Sequence, residues 1–145
     1  MNWTLKKFDD LSPHELYAIL QLRNEVFVVE QHCVFQDADN KDQSCLHFMG
    51  WLDNKLIAYT RIVPPGVAYI ESSIGRVVTS PLSRRGGLGK LLMQKSLEQI
   101  VQLFGAVPVR IGAQVYLKQF YSSLGFTPAG PVYTEDGIEH IEMLK

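Results

Sequence analysis

One stretch, Arg84-Arg85-Gly86-Gly87-Leu88-Gly89-Lys90, combines residue types that suit anion chemistry at close spacing. Glycines let the main chain approach a bulky anion, and the unpaired N–H groups of a following helix solvate it with the positive end of the helix dipole. A diphosphate is the ligand such a cradle takes. Two nucleotide motifs fail on it. A P-loop needs Ser or Thr after Gly-Lys, but Leu91 follows Lys90, and a dinucleotide fingerprint starting at Gly87 needs Gly or Ala where Leu92 stands. Metal chemistry fails as well. His32, Cys33, Cys45 and His47 offer four zinc ligands at spacings that match no finger. Asp37 and Asp39 begin like a calcium loop, yet Lys41 falls at a ligand position, Asp42 where glycine is needed and Phe48 where the closing glutamate belongs. No metal is expected, and the acidic segment is expected instead to attract a cationic amine.

The elements that must position the cradle are legible on either side of it. Ser73 to Thr79 reads as a strand leading into the glycine turn, and the helical spacing of Leu88, Leu91, Leu92, Ile100, Val101 and Phe104 predicts a long helix ended by Gly105. Upstream, Ser12-Pro13-His14-Glu15 combines an N-cap, a first-turn proline and a capping-box glutamate, which predicts a helix to about Val28. A loop from Glu30 to Ser44 follows. Asp53-Asn54 then separates two β-rich runs, 46–52 and 55–63, as in an antiparallel hairpin. Val107, Val109, Ile111 and Ala113 alternate as a strand ending at Gln114, and Leu117, Phe120, Tyr121 and Leu124 predict a short helix stopped by Gly125. Glu135-Asp136-Gly137 is the turn of a final hairpin. The order helix, hairpin, strand, helix, strand, helix, hairpin, without repeats or linkers, reads as one α/β domain over 1–145 with a mixed sheet.

With 14 Lys and Arg against 15 Asp and Glu in 145 residues, the net charge of -1 excludes the electrostatic footprint of a nucleic-acid binder. There is no run of about 18 apolar residues and no signal-like start, so no membrane partner is expected and a cytoplasmic location is. Cys33 and Cys45 then read as reduced thiols.

The sequence resembles the GNAT acyltransferases, whose R-x-x-G-x-G signature is filled by Arg84, Gly87 and Gly89, and whose F-Y-x-x-x-G-F segment is matched by Phe120 to Phe126. More narrowly, Val26 to Gln31, Gly75-Arg76-Val77, Gly112-Ala113-Gln114 and Glu135 to Ile141 look like the ElaA-type branch. The resemblance implies a central mixed, mostly antiparallel sheet, splayed between two strands and flanked by helices. It implies that acetyl-CoA lies in the splay. Its diphosphate would rest on the amides of Arg85, Gly86, Gly87, Leu88, Gly89 and Lys90 beside Arg84, and its pantetheine arm would bond the main chain of Val77, Val78 and Thr79 as an added strand. Gln114 is implied as a further cofactor contact.

Tyr121 matches the family's general acid, a hydroxyl able to protonate a departing thiolate. Some members place a base where Val109 stands, so Glu30 or His47, acting directly or through water, are the remaining candidates. Phe27, Glu30, Gln31 and Arg76 fall on the substrate side, Arg76 as a mid-strand charge that could orient an acid near the acyl group. The acceptor is expected to be a small-molecule amine or a protein amino group, and the C-terminal hairpin offers a homodimer surface. Two alternatives stand: transfer of a longer acyl chain, as in acyl-homoserine lactone synthases, and a coenzyme A-binding module that has lost its base.

Overall fold

The computed structural model describes residues 1–145. Its elements are β1 (Asn2–Lys7), α1 (Pro13–Arg23), β2 (Leu46–Leu52), β3 (Lys55–Val63), β4 (Ser73–Thr79), α2 (Leu88–Phe104), β5 (Arg110–Gln114), α3 (Lys118–Ser123), β6 (Thr127–Glu135) and β7 (Ile138–Leu144). Strand β1 is absent from the sequence expectation. It pairs along β2, with Trp3 opposite Gly50 and its ring stacked on Phe48 at 5.3 Å. A side chain at position 50 would stand 2.7 Å from the Trp3 ring, so Gly50 is what lets the edge strand lie flat.

Helix α1 starts where the capping box predicts: the Ser12 hydroxyl accepts from the Glu15 amide at 3.1 Å, and the Glu15 carboxylate accepts from the Ser12 amide at 2.8 Å. The expected run to Val28 changes character at Asn24. From Asn24 to Glu30 the chain continues as a π-helix, a wider turn often found at functional sites. The hairpin turn at Asp53-Asn54 has both residues at positive φ, 49° and 62°, the backbone that matches strand twist. Asp136 and Gly137 repeat the arrangement between β6 and β7, at 53° and 76°.

Two antiparallel sheets result, ordered β1-β2-β3-β4 and β5-β7-β6. They meet at a single parallel bridge, Ser72 with Val109, where the Arg110 amide donates to the Ser72 carbonyl at 3.0 Å. That bridge is the mixed part of the sheet; beyond it β4 and β5 splay apart. A bulge sharpens the splay, because Tyr59 pairs with Val78 and Arg61 with Gly75, leaving Arg76 and Val77 together opposite Thr60. Arg76 takes a positive φ of 51° to make it.

Neighbouring residues of β2 point to opposite faces, Phe48 into one apolar cluster and Met49 into the other. The Phe48 face is covered by α2 through Leu88, Leu92, Met93 and Ile100, and the Met49 face by α1 through Ile19 and Leu22. The helix that ends the glycine turn is thereby held rigidly against the strand that borders the splay. No helix is long and apolar enough to cross a membrane.

Candidate active site

A cavity of about 680 Å³ occupies the splay. From β4 it is lined by Arg76, Val77, Val78 and Thr79, with Arg84 beyond them, and from the other side by Gln114 and Tyr121. The π-helical turn brings Phe27, Glu30 and, just after it, Gln31 to the same wall. The segment from Arg85 to Lys90 adjoins Arg84 and lies outside the lining.

The start of α2 has the form of an anion seat. Its N-cap is Gly87, with no side-chain cap, and the Leu91 amide is the one that closes on the Gly87 carbonyl, at 3.0 Å. The amides of Leu88, Gly89 and Lys90 precede that first helical bond and have no intrahelical partner. Gly86 and Gly87 have φ of 99° and 79°, and a Cβ at either would meet nothing within 4 Å. The backbone conformation favours glycine there, and the space beside it is open.

Tyr121 is 7% exposed, wedged between Phe120 and Phe126 with ring centroids 5.2 Å and 6.1 Å away. Burial, with a smaller contribution from Tyr116, pushes its hydroxyl up to about 12, so it is a protonated donor at neutral pH. The Gln114 side-chain oxygen is buried without a hydrogen-bond partner, on a residue that lines the cavity. An acceptor left unpaired inside a protein costs about 1–3 kcal/mol, so a donor from a ligand is what this position needs.

Three sequence expectations are corrected here. His47 is fully buried and does not line the cavity. Its Nε2 lies 2.9 Å from the Asp42 carbonyl, which can only accept, so Nε2 carries the proton and Nδ1 accepts from the Tyr59 hydroxyl at 2.8 Å. Burial pushes its pKa down, and its lone pair is spent on Tyr59, so His47 holds the fold together and has nothing to offer a substrate as a base. Glu30 lines the cavity but is engaged by the Arg84 guanidinium at 2.7 Å, so its carboxylate faces a cation of the cradle.

The third correction concerns the acidic segment. Asp37, Asp39 and Asp42 are matched by Arg23, Arg61 and Arg76 at 2.8–3.3 Å. Its charge is consumed within the protein, and the loop is a clamp between α1, β3 and β4 where a lure for cations was expected. Arg76 serves that clamp, donating to Asp37 and Asp39, while still lining the cavity.

The hairpin β6–β7 supplies residues that the sequence expectation leaves out. Tyr133, Glu135 and His140 line the cavity, as does Tyr69. The two-residue alternation through Ile138 and His140 was available as a signal, since it puts both on one face, but which face looks into the splay is decided by the pairing of Gln114 with His140.

A family model for the acetyltransferase (GNAT) domain matches residues 9–145. Protein ElaA of Escherichia coli is 42% identical over 147 aligned residues, covering 100% of this chain and 96% of that protein. Its crystal structure superposes with a TM-score of 0.92 over 99% of this chain and 98% of that one. The crystal structure of an acyl-CoA N-acyltransferase from Pseudomonas aeruginosa superposes with a TM-score of 0.94, at 43% identity, covering 100% of this chain and 99% of that chain.

Proposed function

The chain belongs to the GNAT acetyltransferase family, and from that premise we propose that it transfers the acetyl group of acetyl-CoA directly to a primary amine. The observation that carries the reading is an uncapped helix start adjoining a cavity that is lined by a bulged, half-unpaired strand and a buried tyrosine. The Pseudomonas relative is an acyl-CoA N-acyltransferase, which supports an acyl-CoA donor here.

The residues fit such a donor. Amides of Arg85 to Lys90 would hold the diphosphate, with Arg84 beside them, and the bulged main chain of Val77, Val78 and Thr79 would hold the pantetheine arm. The unpaired Gln114 oxygen gives an amide of that arm an acceptor. Bound acetyl-CoA supplies an activated carbonyl with a thiolate leaving group. Tyr121 then gives its hydroxyl proton to the departing sulfur. Its raised pKa would oppose that step against a thiol in water, near 8.5, but burial raises a thiolate leaving beside the same buried ring in the same direction.

The test is release of free thiol from acetyl-CoA, with and without a primary amine. The expected result is amine-dependent release that is faster from acetyl-CoA than from longer acyl-CoAs. Release that ignores the amine would remove the acceptor from the reaction, and release faster from long chains would move the assignment to a long-chain acyltransferase.

A further inference from the structure

The His140 Nδ1 lies 2.8 Å from the carbonyl oxygen of Ile138. A carbonyl only accepts, so the proton of the neutral ring sits on Nδ1 and the lone pair on Nε2. The charged group facing Nε2 is the Glu135 carboxylate, at 3.7 Å and beyond hydrogen-bond range. His140 is therefore the reverse of His47: both rings donate to a carbonyl, but His47 spends its lone pair on Tyr59, whereas the His140 lone pair is uncommitted and its residue lines the cavity.

Its neighbours define what would approach it. His140 pairs with Gln114 across β5–β7 and with Tyr133 across β6–β7, and its ring stacks on Tyr133 at 5.7 Å. Gly112, two residues before Gln114 on the same face, leaves room for the hydroxyls of Tyr133 and Tyr69, which a Cβ there would meet at 2.8 and 3.3 Å. The wall is polar, aromatic and edged by a carboxylate. It lies across the cavity from the bulged part of β4 and shares that cavity with Tyr121.

We propose that His140, held by the Ile138 carbonyl with the Glu135 carboxylate facing its Nε2, is the general base of the transfer, and that the acceptor is a primary amine delivered as its cation across the Tyr69–Tyr133 wall. This rests on the acyl-transfer reading above. One N–H bond of the ammonium breaks and its proton moves to Nε2. The nitrogen lone pair so released attacks the thioester carbonyl carbon, forming the C–N bond, and the C–S bond breaks with its electron pair on sulfur. Sulfur takes the Tyr121 proton, the surplus proton of the new amide nitrogen restores Tyr121, and His140 loses its proton to solvent.

The experiment measures free coenzyme A release from acetyl-CoA with phenethylamine, spermidine and a short peptide with a free amino terminus as probe amines, in wild type, His140→Asn and His140→Ala. Asparagine keeps a donor for the Ile138 carbonyl and removes the base. His140→Asn is expected to bind coenzyme A as wild type does, to keep its KM for acetyl-CoA within about twofold and to lose about 10²–10⁴-fold in kcat. Added imidazole is expected to restore His140→Ala, and triazole, similar in size and far less basic, is not. His140→Asn at full rate, or equal rescue by triazole, overturns the assignment while leaving the acyl-transfer reading in place. A wild-type chain that binds no coenzyme A overturns both.

Discussion

Tyr121→Phe is expected to lower kcat by about 10²-fold or more while leaving coenzyme A affinity and the KM for acetyl-CoA close to wild type, within the range for loss of a general acid. The substitution removes one oxygen and keeps the ring packed between Phe120 and Phe126. A stability change is therefore not expected. Steady-state kinetics alongside calorimetric titration of coenzyme A separates the two parameters. A fall in affinity with kcat preserved would show that Tyr121 shapes the cavity and donates nothing.

A comparably large effect on stability is expected from Asp42→Asn. One carboxylate oxygen of Asp42 accepts from both Arg23 and Arg61, at 2.8 and 2.9 Å, and the Arg23 guanidinium is fully buried, with the Tyr59 ring 5.9 Å away. Removing one member of a buried ion network leaves uncompensated charge and costs about 3–5 kcal/mol. In urea, with a slope of about 1–3 kcal/mol per molar for a chain of this size, the midpoint should fall by more than about 1 M. An unchanged midpoint would mean that the clamp is dispensable.

The same cluster sets the acid limit of the fold. Burial works against charge on Asp42, but hydrogen bonds and charge from Arg23 and Arg61 outweigh it and hold the carboxyl below its ordinary range; Asp39 is held down likewise by Arg61, the Lys41 amide and Arg76. Groups with a depressed folded pKa contribute stability above the unfolded value, about 3.9 for Asp, and lose it as pH falls toward the folded value. His47 adds a higher window. Its imidazole is depressed by burial, so stability begins to fall as pH drops below about 6.5, the unfolded histidine value. Wild type should therefore lose stability in two steps on acidification, and Asp42→Asn should flatten the lower step most.

Local signals carried much of the fold into the sequence, and long-range pairing carried the remainder out of it. Ser12 and Glu15 meet across one helical turn, and Asp53-Asn54 and Asp136-Gly137 take the backbone that their residue types allow, so helix starts and hairpins were readable. Strand β1 was not, because only Trp3 and Leu5 alternate there and their partner is Gly50, far along the chain. The glycine turn was readable as an uncapped helix start, with Gly86 and Gly87 at positive φ as that form requires.

Charged residues behaved differently. Asp37 looked like an unclaimed acid because its partners, Arg23 and Arg76, lie 14 and 39 positions away, and no periodicity announces such a bond. The two histidines make the same point. His47 and His140 both sit on strands with alternating neighbours, and only the splay of β4 from β5 decides that one is sealed in the core while the other faces the cavity.

The central claim is that main-chain amides at the start of α2 hold a diphosphate next to the bulged strand. Calorimetric titration of the folded chain with coenzyme A tests it most directly, run on wild type and on Gly87→Val, whose side chain would enter a backbone conformation with φ of 79° that a β-branched residue resists. Single-site binding to wild type, weakened by about tenfold or more in Gly87→Val with thermal unfolding still cooperative, is the predicted result. No heat of binding to the folded wild-type chain, or equal affinity in the two, would contradict it.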